Sequence, residues 1–135
     1  MDSCIFCKIV AGEIPSYKVY EDEHALAFLD IHPCAPGHTV VIPKQHSETE
    51  LDTEPEEAAA VMQAVQHASR VLKEKLGPAG FNIGWNHGRI AGQAINHWHV
   101  HIIPRNAGDN GGSMHSIVKT DGPLVEEMAK KVCGF

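Results

Sequence analysis

Apolar runs and their spacing divide the chain into a short series of elements. Lys18-Val19-Tyr20 and His24-Ala25-Leu26-Ala27-Phe28-Leu29 read as two strands around a polar connection at Glu21-Asp22-Glu23. Pro33, Pro36 and Gly37 interrupt the chain, and His38-Thr39-Val40-Val41-Ile42 follows as a β-branched run closed by Pro43. That run hardly alternates, which predicts a strand buried on both faces. Thr53 and Glu56 have the spacing of a capping box, with Pro55 in the first turn. Val61, Met62, Val65, Ser69, Leu72 and Leu76 then recur on one helical face until Gly77-Pro78 stops it. Residues 81–85 and 98–103 predict a fourth and a fifth strand, the latter ended by Pro104. The stretch 106–113 is rich in glycine and polar residues and reads as a loop. Asp121-Gly122-Pro123 opens a short C-terminal helix with Leu124, Met128 and Val132 on one side. The order hairpin, strand, long helix, hairpin predicts an α+β fold, a five-stranded antiparallel sheet with the long helix packed on one face. A length of 135 residues fits one domain, 1–135.

Composition narrows the partners. Eleven Lys and Arg against 17 Asp and Glu give a formal charge of −6, which argues against a protein that holds nucleic acid polymers by phosphate neutralisation. A local site for a small phosphate ligand is compatible with that balance. No apolar run has the length of a membrane span. The first residues lack the basic and apolar regions of a secretory signal, so a cytoplasmic location is expected. Ten histidines and four cysteines are the unusual counts. In a reducing compartment, Cys4-x-x-Cys7 reads as a metal half-site or a redox pair rather than a structural disulfide.

The sharpest feature is His97-Trp98-His99-Val100-His101-Ile102-Ile103. On a strand, His97, His99 and His101 share one face and Trp98, Val100 and Ile102 the other. Three imidazoles make poor core, because each has two nitrogens that need partners when buried. A merely solvated polar face is the bland alternative. Two chemical readings compete with it: the imidazoles bind a catalytic metal, or one is a nucleophile that its neighbours organise. In the second, a strand carbonyl accepts the Nδ1 proton of one histidine and leaves its Nε2 lone pair free.

These residues carry a family resemblance. His97-x-His99-x-His101 with its apolar neighbours resembles the signature of the histidine-triad (HIT) superfamily. So do Cys4-Ile5-Phe6-Cys7-Lys8-Ile9-Val10, Ala27-Phe28-Leu29-Asp30-Ile31, Pro36-Gly37-His38-Thr39, Ile42-Pro43-Lys44-x-His46 and Ala91-Gly92-Gln93. The nearest branch is similar to the Hint-like nucleotide hydrolases of prokaryotic type, and Ile103-Pro104-Arg105 resembles the Fhit-like ending. The resemblance implies a HIT fold that forms homodimers by joining two sheets into ten strands. It also implies cleavage at the α-phosphate of a nucleoside phosphoramidate or dinucleoside polyphosphate, purine and AMP-like. His99 would form a covalent nucleotidyl-histidine, with His97, His101 and Gln93 completing the catalytic set. Asp30 would accept from ribose hydroxyls, Asn86, Gln93 and His101 would contact phosphate, and Phe6, Ile9, Phe28 and Ile31 would wall the base pocket.

The same resemblance gives Cys4 and Cys7 two imidazole partners, His46 and His97, as a structural zinc site. His24, His32, His38, His67, His87 and His115 are expected at surface, turn or capping positions. One departure stands out: where Hint-like enzymes carry a hydroxyl residue after the glutamine, this chain has Ala94. It encourages one rival function, a nucleotide-binding scaffold with little turnover; the other rival is a zinc-dependent phosphohydrolase with the metal at the triad.

Overall fold

The unalternating run becomes strand β3, Thr39–Pro43, in which every residue is buried. Its burial follows from its place in the sheet. A computed structural model describes residues 3–134, and in it five antiparallel strands lie in the order β1-β2-β3-β5-β4. They are β1 (Lys18–Glu21), β2 (Ala25–Leu29), β4 (Gly80–Gly84) and β5 (Val100–Arg105) around central β3. Helix α2 (Pro55–Leu76) covers one face and the short helix α1 (Ile5–Val10) packs on the other. Each face therefore has its own core. Ala25, Ala27, Val41, Trp98, Val100 and Ile102 meet Val61, Ala64, Val65, Ala68 and Leu72 of α2. Leu26, Phe28, Val40 and Ile42 meet Phe6, with Ile9 at the margin. Each large aliphatic side chain so buried contributes about 1.5–3 kcal/mol.

The helix differs from its predicted face in an instructive way. Its buried stripe is built on Ala60, Ala64 and Ala68 as much as on Val61, Val65 and Leu72, whereas Met62 and Leu76 are 44% and 55% exposed. Small residues let the helix backbone approach the sheet. The capping box is not formed. Glu54 is the N-cap and makes no side-chain cap bond, because the Thr53 hydroxyl is occupied by the Thr49 carbonyl and Ser47 Oγ in the preceding turn. At the other end, Gly77 closes the helix in the left-handed conformation.

Strand β5 runs past the proline predicted to end it. Pro104 pairs with Phe81 of β4, while the β3 ladder has already finished at Thr39 opposite Ile102. On that side the missing N–H leaves no ladder bond unmade. The loop predicted over 106–113 is irregular, and the C-terminal helix α3 (Val125–Cys133) forms as expected. None of its side chains is buried, and Leu124 and Val132 are 70% and 80% exposed. No helix among the described residues is long and apolar enough to cross a membrane.

Candidate active site and metal cluster

Residues 97–99 lead into β5 and keep its alternation. Trp98 enters the core under α2 with Val100 and Ile102, which turns His97, His99 and His101 to the opposite face. There the Phe6 ring stands edge-on to both His97 and His99, with ring centres 5.8 and 5.1 Å apart. His99 and His101 are themselves 5.1 Å apart, edge to face.

Each imidazole has a different set of partners. His99 Nδ1 donates to the His97 carbonyl at 2.7 Å. That bond fixes the tautomer and leaves Nε2 with a free lone pair. Burial lowers the His99 pKa, so the ring is neutral and nucleophilic near pH 7. Burial also takes His101 down to about 4. Its tautomer follows from a chain of bonds. The Cys34 N–H donates to His38 Nδ1 at 3.1 Å, so the His38 proton sits on Nε2. His38 Nε2 lies 2.9 Å from His101 Nδ1 and donates to it. His101 therefore carries its proton on Nε2, as a donor beside the His99 lone pair. Asp30 Oδ2 stands 3.6 Å from His38 Nε2 and biases the same arrangement.

His38 was expected at a surface or turn position. It is 6% exposed and belongs to the site. The signal that could have found it is its place one residue before a fully buried strand, where a solvated imidazole has no room.

Gln93 departs from expectation in the other direction. It is buried, and its side chain is spent on its own loop. Nε2 donates to the Glu48 and Ile95 carbonyls at 2.7 and 3.1 Å, and Oε1 accepts from the Gly88 N–H at 2.9 Å. The amide is thus not presented to the histidines. Asn86, by contrast, is exposed and lines a cavity of about 560 Å³ shared with His38 and His101. Of the expected base-pocket residues, Phe6 and Phe28 are core neighbours 5.6 Å apart and Ile9 packs at their margin. Ile31 is 75% exposed next to Asp30, whose Oδ1 accepts from the His32 N–H.

Cys4, Cys7, His46 and His97 converge, with one ligand atom from each lying within 4.8 Å of all the others. Cys4 caps α1, accepting the Cys7 N–H, so the helix itself sets the cysteine spacing. His97 Nε2 donates to the Pro43 carbonyl at 2.8 Å, which leaves Nδ1 as a lone pair. That nitrogen lies 3.4 Å from Cys4 Sγ, 3.6 Å from Cys7 Sγ and 3.2 Å from His46 Nδ1. Burial and the adjacent Cys4 push the Cys7 thiol up to about 11. Two sulfurs and two nitrogens at these separations suit the edges of a tetrahedron with metal–ligand bonds of about 2.0–2.3 Å. The carbonyl behind His97 is the outer-shell partner that metal-bound imidazoles take. The donor set fits zinc.

The chain is similar to several known proteins. The family described as HIT domain matches residues 11–108. An uncharacterized HIT-like protein of Methanocaldococcus jannaschii, MJ0866, is 47% identical over 131 residues, covering 97% of this chain and 99% of that protein. The adenosine 5'-monophosphoramidase hnt1 of Schizosaccharomyces pombe is 44% identical over 103 residues, covering 76% and 74%. The crystal structure of SMU.412c from Streptococcus mutans UA159 superposes with a TM-score of 0.88 at 40% identity, covering 99% of this chain and 83% of that one.

Proposed function

The chain belongs to the HIT domain family, and on that premise we propose that it hydrolyses the α-phosphate linkage of an AMP-like nucleotide through a covalent intermediate on His99. The observation that carries the reading is the 2.7 Å bond from His99 Nδ1 to the His97 carbonyl, which aims a free Nε2 lone pair. In the first step that lone pair bonds to phosphorus. The bond from phosphorus to the leaving group breaks, and its electrons depart with the leaving group, which takes a proton from water. In the second step a water oxygen bonds to phosphorus and its proton passes to solvent. The P–N electrons return to His99, and the nucleoside monophosphate leaves. Splitting the reaction in two lowers each barrier.

His101 contributes its Nε2–H to the equatorial oxygens, where charge accumulates during the transfer. A neutral donor already oriented by His38 needs no reorganisation. Asn86 is the second donor, at the cavity wall. Asp30 has Oδ2 available to ribose hydroxyls, and Phe6, Ile9, Phe28 and Ile31 supply apolar surface for a purine. Gln93 acts in this reading by holding the loop 88–95 that carries Ala94, rather than by touching phosphate.

Cys4, Cys7, His46 and His97 would hold a zinc ion whose contribution is structural, tying α1 to the sheet. With four ligands from the protein, the cluster matches a closed site rather than an open catalytic one. The working unit is proposed to be a homodimer. Edge strand β4 offers an unpaired backbone for extending the sheet to ten strands.

The test is chemical. Incubation with an α-³²P-labelled adenosine phosphoramidate, followed by denaturing quench, is expected to leave acid-labile label on the wild type and none on His99→Ala. Equal label on both would remove His99 from the nucleophile role.

A further inference from the structure

Strand β4 gives out two residues before Asn86, the proposed phosphate donor. Its ladder with β5 ends at Gly84, opposite His101, and Trp85, Asn86 and His87 follow outside the strand. Sheet pairing therefore does not place the Asn86 amide. A donor on a loose segment loses backbone freedom each time it engages a phosphate oxygen, at a cost on the order of 1–2 kcal/mol for each residue fixed.

Side-chain contacts take over where the ladder stops, and they end on one carboxylate. The Trp85 indole N–H donates to Glu50 Oε1 at 2.8 Å. His87 Nδ1 donates to the same group, 3.0 Å from Oε1 and 2.8 Å from Oε2. The two residues that flank Asn86 are thus fastened to a single acceptor. Trp85 is also held at its ring, which stands edge-on to the buried Trp98 with ring centres 5.4 Å apart. Trp98 directly precedes His99, so the segment that carries Asn86 and the strand that carries His99 share a packed contact. The Asn86 side chain rests on Gly92. A Cβ there would stand 3.2 Å from Asn86 Nδ2 and 3.5 Å from its Cγ, so glycine gives the amide its seat.

Glu50 is itself a fixed point. It opens a short 3₁₀ turn, Glu50–Asp52, whose N-cap Thr49 accepts the Leu51 N–H and donates to Asp52. The Thr53 hydroxyl closes the turn on the Thr49 carbonyl. Two residues before Glu50, the Glu48 carbonyl takes the Gln93 amide, whose oxygen holds the Gly88 N–H. The turn 48–53 thereby holds the segment 85–88 at Trp85, His87 and Gly88. A carboxylate paired with a surface histidine ordinarily contributes about 0–1 kcal/mol. A pair of that kind needs one partner, whereas Glu50 divides its oxygens between the neighbours on either side of one amide.

We propose that Glu50 is a positioning residue: by holding Trp85 and His87 it keeps the Asn86 amide aimed at the phosphate of the bound nucleotide. The proposal rests on the reading of Asn86 as a phosphate donor and is independent of the covalent step on His99. Isothermal titration with AMP and with adenosine, neither of which needs turnover, tests it. Asn86→Ala is expected to weaken AMP binding about tenfold and Glu50→Ala about fivefold, while both leave adenosine within about twofold of the wild type. In the Asn86→Ala background, Glu50→Ala should cost less than about twofold further, because its effect passes through the amide. Glu50→Gln, which keeps an oxygen for the Trp85 N–H, should recover part of the loss, and it takes the place of Glu50→Ala in the cycle if that variant fails to fold. Equal losses in the two backgrounds, an equal loss for adenosine, or wild-type AMP affinity in Glu50→Ala would overturn the role. Absence of label on wild-type His99 would instead sink the covalent reading and leave the titrations to judge Glu50.

Discussion

His38 and His99 show how differently two histidines can be encoded. The role proposed for His99 rests on alternation along a single strand and on a carbonyl two residues back, both local, so the geometry behind the proposal was legible in the sequence. His38 acquires its role only when β3 pairs with β5 and Val40 comes opposite His101. A histidine after Pro36-Gly37 otherwise has every mark of a turn residue. If its 2.9 Å bond sets the His101 tautomer, His38→Ala should lower kcat by about tenfold to a hundredfold. His38→Gln, whose amide can still donate to His101 Nδ1, should recover part of the loss with little change in KM. Steady-state kinetics on adenosine phosphoramidate would check this, and an unchanged kcat in His38→Ala would refute it. Gln93 teaches the converse. Its position in a motif suggested a phosphate donor, but three hydrogen bonds to main-chain atoms commit it to loop architecture. Those partners come from residues 48, 88 and 95, and no spacing rule links the first to Gln93.

At the scale of elements, hydrophobic patterning located all five strands and both longer helices, and it erred where neighbouring segments compete. The Thr53-x-x-Glu56 spacing was sound as a pattern, yet the turn before it had already claimed the Thr53 hydroxyl. The stripe of α2 was displaced from Met62 and Leu76 to the alanines, because closeness to the sheet, not residue hydrophobicity, sets which positions are buried. The turn between β2 and β3 gives a sharp test of that packing. Gly37 has φ +85°, and a Cβ there would meet Leu76 Cδ1 at 2.5 Å and Pro104 Cγ at 3.3 Å. Gly37→Ala should therefore destabilise the protein by about 2–3 kcal/mol through backbone strain and overpacking. The urea midpoint would report it. A variant as stable as the wild type would show that the turn and the end of α2 yield easily.

Across the whole molecule, the sheet separates the α2 side, with the larger core, from the α1 side, which bears the histidines of the proposed chemistry, and the cysteine cluster ties α1 to that second side. The CxxC and its histidines were legible as a set through family resemblance; their convergence needed the fold to close a gap of 90 residues between Cys7 and His97. Elemental analysis is expected to find about one zinc per chain. Cys4→Ser should lose that zinc and lower the melting temperature, and a full zinc complement in this variant would exclude the cluster. The apolar side of α3 was predicted as a pattern, and its side chains stand exposed. His97 is where these parts meet: its ring faces the sulfurs, its far nitrogen holds the end of β3, and its carbonyl aims His99. The last of these belongs to the main chain. Side-chain replacement at 97 would remove one of the four proposed metal ligands and the contact with β3 but cannot delete the acceptor itself. Drift at that position could give up the proposed metal site while the bond that orients His99 persists.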